Sequence, residues 1–250
     1  MNRKSLIQSA ARIVERSREV VVFTGAGVSA ESGIPTYRGD GGMWKEYDAY
    51  KVVEINAFLE EPTYFWSFFR DVRYRALVDS EPNRAHLAIA ELQRRGKASA
   101  VVTQNIDGLH RLAGSSDVIE LHGNTRRIDC LDCGVEYDFD DIHQKVQREL
   151  PPRCDECGGL LKPRVTFFGE PLPAGAMETA IAAAAACDLM LVVGSTLEVF
   201  PAASVPLVAK RGDAAMIIVN VGATAMDEMA DVKIDAPAGE VLPEMLGVEV

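Results

Sequence analysis

Cys130-x-x-Cys133 and Cys154-x-x-Cys157 stand 20 residues apart, and this spacing constrains the chain's fold more than any other feature. It matches the C-x2-C…C-x2-C pattern of a zinc site. Four thiolates complete a tetrahedral shell and leave no position for water, so a metal held this way is structural. Four unligated cysteines and a redox pair are the competing readings. The N-terminal stretch MNRKSLIQSAARIVERS has no uninterrupted apolar core and reads as an amphipathic helix, not a secretory signal. A cytoplasmic location is therefore expected, where paired cysteines serve metals more often than disulfides. Residues 125–165 hold both pairs and few long apolar runs, and read as a small inserted module. Cys187 follows an alanine-rich helical pattern and reads as a buried small apolar residue.

Outside that module the chain alternates between apolar runs and helical patterns. Strands are expected at Glu19–Thr24, Ala98–Thr103, Val118–Leu121, Leu189–Val193 and Ala215–Val221. Helical patterns fall at Ala85–Arg95, Glu178–Cys187 and Ala202–Lys210. Continuous apolar runs suit strands buried on both faces of a parallel sheet. The fold class expected is α/β, a doubly wound parallel sheet with its ligand at the carboxyl ends of the strands. Residues 33–84, rich in proline, glycine and aromatics, break the alternation and read as a lid or pocket wall. The net charge of −11 argues against a nucleic-acid partner, and no apolar run is long enough to cross a membrane. An acidic protein still attracts basic protein tails.

Four short segments carry the chemistry. Gly25-Ala-Gly-Val-Ser-Ala30 follows a buried strand and fits the G-x-G-x-x-G/A phosphate fingerprint; the competing reading is a plain tight turn. A dehydrogenase would continue this helix to a second strand, but Ser32-Gly-Ile-Pro35 breaks it, which argues against conventional hydride transfer. Thr103-Gln-Asn-Ile-Asp-Gly-Leu-His110 places amides and a carboxylate at a strand end. A helix start with Asn105 as N-cap and Asp107 in the first turn explains the same residues. His122 ends the strand Val118–Leu121 and can serve as a general base near neutral pH; a structural histidine is the alternative. His110 reads as structural, while His86 and His143 receive no role. Val193-Gly-Ser-Thr196 and Asn220-Val-Gly222 repeat the pattern of strand, glycine and polar residue.

Taken together, these segments resemble the sirtuin family over nearly the whole chain. Gly25-Ala-Gly-Val-Ser-Ala-Glu-Ser-Gly-Ile-Pro-Thr-Tyr-Arg38 looks like its NAD-binding stretch and Thr103-Gln-Asn-Ile-Asp107 like its nicotinamide and ribose pocket. His122-Gly123, the cysteine pairs, Val165-Thr-Phe-Phe-Gly-Glu170 and Gly194–Ala203 follow in family order. The resemblance implies a Rossmann-type domain (1–32, 85–124 and 166–250), an insertion lining the cofactor and acyl pocket (33–84), and a zinc-ribbon domain (125–165). It implies NAD as co-substrate, structural Zn2+ on Cys130, Cys133, Cys154 and Cys157, and acyl-lysine proteins or peptides as partners. In such enzymes the acyl oxygen attacks C1′ of the nicotinamide ribose and nicotinamide leaves. His122 then acts as base on a ribose hydroxyl, and the free amine and O-acyl-ADP-ribose are the products.

Residue by residue, the resemblance assigns NAD contacts to Gly25, Ala26, Gly27, Glu31, Tyr37, Arg38, Gly194, Ser195, Asn220 and Val221. Gln104, Asn105 and Asp107 orient the nicotinamide and its ribose, with Asn105 counted beside His122 as catalytic. Thr166, Phe168, Gly169 and Glu170 meet the substrate, opposite Leu197 and Glu198, so that the peptide adds as a strand between two edges. Tyr37 replaces the usual phenylalanine, and Thr166 and Glu198 stand where aliphatic residues are expected. The Tyr-x-x-Arg pair of members that remove succinyl or malonyl groups is missing: three residues on from Tyr64 stands Ser67, and three on from Tyr74 stands Leu77. Deacylation of other acyl groups and mono-ADP-ribosyl transfer are the alternatives.

Overall fold

The computed structural model describes residues 2–36 and 47–249. Among these residues six strands form one parallel sheet: β1 (Val20–Thr24), β2 (Ala98–Thr103), β3 (Val118–Glu120), β7 (Leu189–Val193), β8 (Ala215–Val219) and β9 (Val232–Ile234). Their order is β3-β2-β1-β7-β8-β9. The other three strands, β4 (Gly123–Cys130), β5 (Glu136–Asp138) and β6 (Leu161–Val165), make an antiparallel sheet ordered β5-β4-β6.

The apolar runs form central strands because both of their faces find a core. Side chains alternate along a strand. Val20, Val22, Leu189, Leu191, Ile217 and Val219 face one way, onto the helices Arg3–Arg16, Arg84–Arg94 and Ala238–Leu246. Val21, Phe23, Met190, Val192, Met216 and Ile218 face the other, onto Ala176–Ala186 and Ser204–Arg211. A third core joins the aromatic insertion to the small sheet. Phe58, Phe65, Trp66 and Phe69 pack with Ile128, Ile142 and Leu161, and Trp66 Nε1 donates to the Leu161 carbonyl at 3.1 Å. The cysteine module is therefore built on the same apolar cluster as the insertion.

The expected strands appear with small changes at their ends. The strand expected to reach Val221 stops at Val219, which releases Asn220 and Val221 beyond the sheet edge. The helix expected from Ala202 begins at Ser204. After β2 the short helix starts only at Leu109, with Gly108 as its cap residue. Asn105 is therefore no N-cap. Asp107 performs the capping instead, its Oδ1 accepting from Leu109 N at 2.9 Å.

Candidate active site

The sheet reverses its winding between β1 and β7, the position where doubly wound sheets open a crevice. Two glycine turns meet there, backbone to backbone. Gly27 N donates to the Gly194 carbonyl at 2.8 Å. A Cβ added to Gly27 would lie 2.7 Å from Gly194 Cα, and Gly194 itself holds a φ of +62°. Only glycine fits either position. The turn after β1 runs into a 3-10 helix, Ala26–Ser32, which ends at Gly33 with φ +82°. The break expected at Gly33 is thus a left-handed stop.

Above this junction lies a cavity of about 940 Å³ bounded by both sheets and the insertion. Gly25, Ala26 and Gly27 line it from β1, and Gln104, Asn105 and His122 from the ends of β2 and β3. Gly194, Ser195, Asn220 and Val221 line it from β7 and β8. Thr166, Phe168, Gly169 and Glu170 close the side nearest the small sheet. Glu31, Asp107, Leu197 and Glu198 do not line the cavity. Tyr37 and Arg38 lie outside the described residues.

Each displaced side chain has a physical reason. The Glu31 carboxylate reaches back to accept from Gly239 N at 2.7 Å, capping the helix Ala238–Leu246. Leu197 sits at φ +60° and turns into the core at 1% exposure. That kink redirects the chain after Leu197. It leaves Val199 on the cavity and Glu198 exposed, where Glu198 Oε2 accepts from Thr196 Oγ1 at 3.2 Å.

Asp107 sits one step behind the cavity wall in a buried hydrogen-bond network. Ser29 Oγ donates to Asp107 Oδ2 at 2.8 Å, and Asn105 Nδ2 donates to Ser29 Oγ and to the Gly25 carbonyl, both at 3.1 Å. His86 Nδ1 accepts from Asn83 N at 3.3 Å, so its Nε2 carries the proton that faces Ser29 Oγ at 3.4 Å. Burial pushes the His86 pKa down to about 4, which keeps the ring neutral. His110 Nε2 lies 2.9 Å from Thr24 Oγ1, and that hydroxyl donates to Thr103 Oγ1 at 2.7 Å. The sequence assigns His86 no role, and Asn-x-x-His departs from the usual Ser/Thr-x-x-Glu capping box. Its capping box with Asn83 fixes the helix Arg84–Arg94 and, through Ser29, the amide of Asn105.

His122 is half-buried at the cavity wall. Its Nδ1 lies 2.9 Å from the Gln104 carbonyl, which can only accept, so Nδ1 carries the proton and Nε2 keeps a free lone pair. Gln104 is held in turn by a bond from its Nε2 to Ser195 Oγ at 2.8 Å. Burial lowers the His122 pKa from 6.5, partly offset by the Gln104 carbonyl. The neutral, proton-accepting form therefore dominates at neutral pH. The acid limb of kcat/KM is expected to have its midpoint below pH 6.5, with activity lost as pH falls through it. A midpoint above 6.5 in the free enzyme would contradict this assignment.

The four cysteines converge at the far end of β4 and β6, with all Sγ atoms within 4.8 Å of one another. Cys130 and Cys157 lie 3.5 Å apart, and Cys133 and Cys154 3.6 Å. A tetrahedral shell with metal–sulfur bonds of about 2.3 Å has edges of about 3.8 Å, so the cluster fits zinc. Each Cys-x-x-Cys turn closes through a left-handed glycine, Gly134 N bonding the Cys130 carbonyl and Gly158 N the Cys154 carbonyl. The Tyr137 hydroxyl donates to Cys154 Sγ at 3.2 Å and pulls that thiol down to about 6.

Fold and site together define a nucleotide-binding α/β protein carrying a four-cysteine metal module, with a neutral histidine facing the crevice between them. The model of the Sir2 family matches residues 25–201. NAD-dependent protein deacylase 2 of Archaeoglobus fulgidus is 49% identical over 241 residues, which cover 96% of this chain and 94% of that protein. A solved Sir2 enzyme superposes with a TM-score of 0.90 at 48% identity, over 98% of this chain and 97% of its own. Another, solved with a p53 peptide and NAD+, gives 0.89 at 37% identity, over 99% and 98%. The chain belongs to the Sir2 family.

Proposed function

We propose that this chain is an NAD-dependent protein-lysine deacylase in which His122 is the general base. The observation that carries this reading is the hydrogen bond from His122 Nδ1 to the Gln104 carbonyl, which leaves Nε2 unprotonated on a ring that lines the cavity. NAD held there would supply an electrophilic ribose carbon. The chain's own residues then have separable tasks. The backbone turns at Gly25–Gly27 and Gly194 would hold the pyrophosphate, and Asn220 and Val221, which line the same cavity, would hold the rest of the dinucleotide. Asn105, fixed by Gly25 and Ser29, presents its amide to the nicotinamide ribose; Gln104 shares that pocket and holds the histidine. Asp107 acts from behind the wall by fixing Ser29.

Thr166–Glu170 supplies one edge for the substrate peptide. That edge is rigid: Phe168 N donates to the Val53 carbonyl at 2.7 Å and its carbonyl accepts from Ile55 N at 3.1 Å. Lys162 Nζ meets Glu170 Oε2 at 2.8 Å beneath it. We assign 125–165 as the zinc-binding unit and the described part of 33–84 as a wall of the acyl pocket. Among the described residues, no helix is long and apolar enough to cross a membrane.

Mass spectrometry of an acetyl-lysine peptide after reaction with NAD tests the assignment. Loss of the acetyl mass is expected, and a gain of ADP-ribose mass would favour the transferase reading. Glu198 sits exposed beside Val199 at the rim, and rim charges steer partners more than they bind them. Peptides with Lys or Arg beside the acyl-lysine are therefore expected to show a few-fold higher kcat/KM at low salt than acidic ones. Glu198→Val should flatten that difference; an unchanged flank preference would show that Glu198 plays no part.

A further inference from the structure

Lys162 on β6 keeps its ammonium inside the protein, at 5% exposure, beside the segment into which β6 runs. Each of its three protons has an acceptor. Nζ donates to the Val165 carbonyl at 2.7 Å, to Glu170 Oε2 at 2.8 Å and more weakly to the Pro163 carbonyl at 3.4 Å. The Phe167 ring covers it, with its centroid 4.3 Å from Nζ. Burial lowers the Lys162 pKa from 10.5, and the Glu170 carboxylate offsets part of that shift. Glu170 Oε2 also accepts from Phe167 N at 2.8 Å, and Glu170 N donates to the Phe167 carbonyl at 3.0 Å. Residues 162–170 thus close on one another around a single ammonium.

This clip decides which backbone groups of the substrate edge stay available. The Val165 carbonyl, Phe167 N and the Phe167 carbonyl are used within it. Thr166 N donates to the His122 carbonyl at 2.9 Å, and both backbone groups of Phe168 are taken by Val53 and Ile55. The Thr166 carbonyl and Gly169 N have no hydrogen-bond partner among the described residues. They form an acceptor and a donor for an incoming strand, and their directions depend on the turn that Lys162 closes. A buried ammonium is unfavourable unless it is paired, and removing it strands the carboxylate that it held.

We propose that Lys162 is a positioning residue for the substrate peptide: through Glu170 and the Val165 carbonyl it holds residues 165–170 in their peptide-binding shape before the peptide arrives. The proposal rests on the deacylase reading. A preordered edge removes the entropy loss of ordering this segment on binding, so the effect falls on peptide affinity.

The test measures kcat and KM for an acetyl-lysine peptide and for acetyl-lysine with both termini blocked, which has no flanking residues to pair with the edge. Wild type is compared with Lys162→Met and with the double variant Lys162→Met, Glu170→Gln. Methionine fills the space without charge. The second change removes the stranded carboxylate and should return Tm towards wild type. The peptide KM is expected to rise about tenfold in both variants, with kcat within a few-fold of wild type. The blocked amino acid should lose less than about twofold in kcat/KM. NAD affinity should be unmoved, because the glycine cradle belongs to the other sheet. An unmoved peptide KM, or an equal loss for peptide and blocked amino acid, overturns the proposal. Hydrogen exchange tests wild type alone: the Phe167 and Glu170 amides should be protected before peptide is added, and rapid exchange there also overturns it. No turnover of either substrate by wild type would overturn the deacylase reading and this proposal together. Turnover with a peptide KM that the variants leave unchanged overturns the proposal alone.

Discussion

His122→Ala is expected to lower deacylation by about 10²–10⁴-fold, the usual cost of losing a general base, while NAD binding stays within a few-fold of wild type. The ring makes one described hydrogen bond, to the Gln104 carbonyl. Gln104 keeps its own anchor on Ser195 after the ring is removed. The glycine cradle at Gly25, Gly27 and Gly194 is backbone packing that does not involve the histidine. The fold and the dinucleotide surface should therefore survive, and the defect should fall on kcat. Calorimetry of NAD binding beside a turnover assay separates the two effects. Activity within a few-fold of wild type would remove His122 from the base role.

Cys154→Ser is expected to abolish stable zinc binding and to inactivate the protein by unfolding its small sheet. Binding of structural zinc contributes about 10–16 kcal/mol in small zinc modules, comparable to the whole stability of a domain. Cys154 is buried and joins the core shared by Ile128, Ile142, Phe65 and Trp66. Damage to the metal centre therefore reaches the aromatic wall of the cavity, although no cysteine lines that cavity. Metal analysis should give one zinc per wild-type chain and far less in the variant, with a lower Tm. A zinc-free protein with full activity and an unchanged melting curve would contradict the structural role.

Much of this architecture is visible in the chain before folding. The central strands are unbroken apolar runs because both faces are covered, and each ends on the glycine or polar residue that reaches the crevice. The edge strand Val232–Ile234 is too short to show a period, and Pro243 inside the helix Ala238–Leu246 reads as a breaker. Within the site, residues immediately after a strand end, such as Gln104, Asn105, His122 and Ser195, reach the cavity as their position suggests. Which way a side chain turns farther from the strand depends on backbone detail. Leu197 points inward because its φ is positive, and Glu31 is drawn off by the amide of Gly239. Thr125, Arg126 and Arg127 bulge from β4 because the β4–β6 register slips, and register is a property of two segments that no single stretch of sequence carries.

The most direct test of the central claim is the stoichiometry of one reaction, wild-type protein with NAD and an acetyl-lysine peptide. Nicotinamide, free-lysine peptide and O-acetyl-ADP-ribose should form in equal amounts, with nicotinamide release dependent on the acetyl group. Nicotinamide release that is indifferent to the acetyl group, or a peptide that keeps its acetyl mass and gains ADP-ribose, would contradict it.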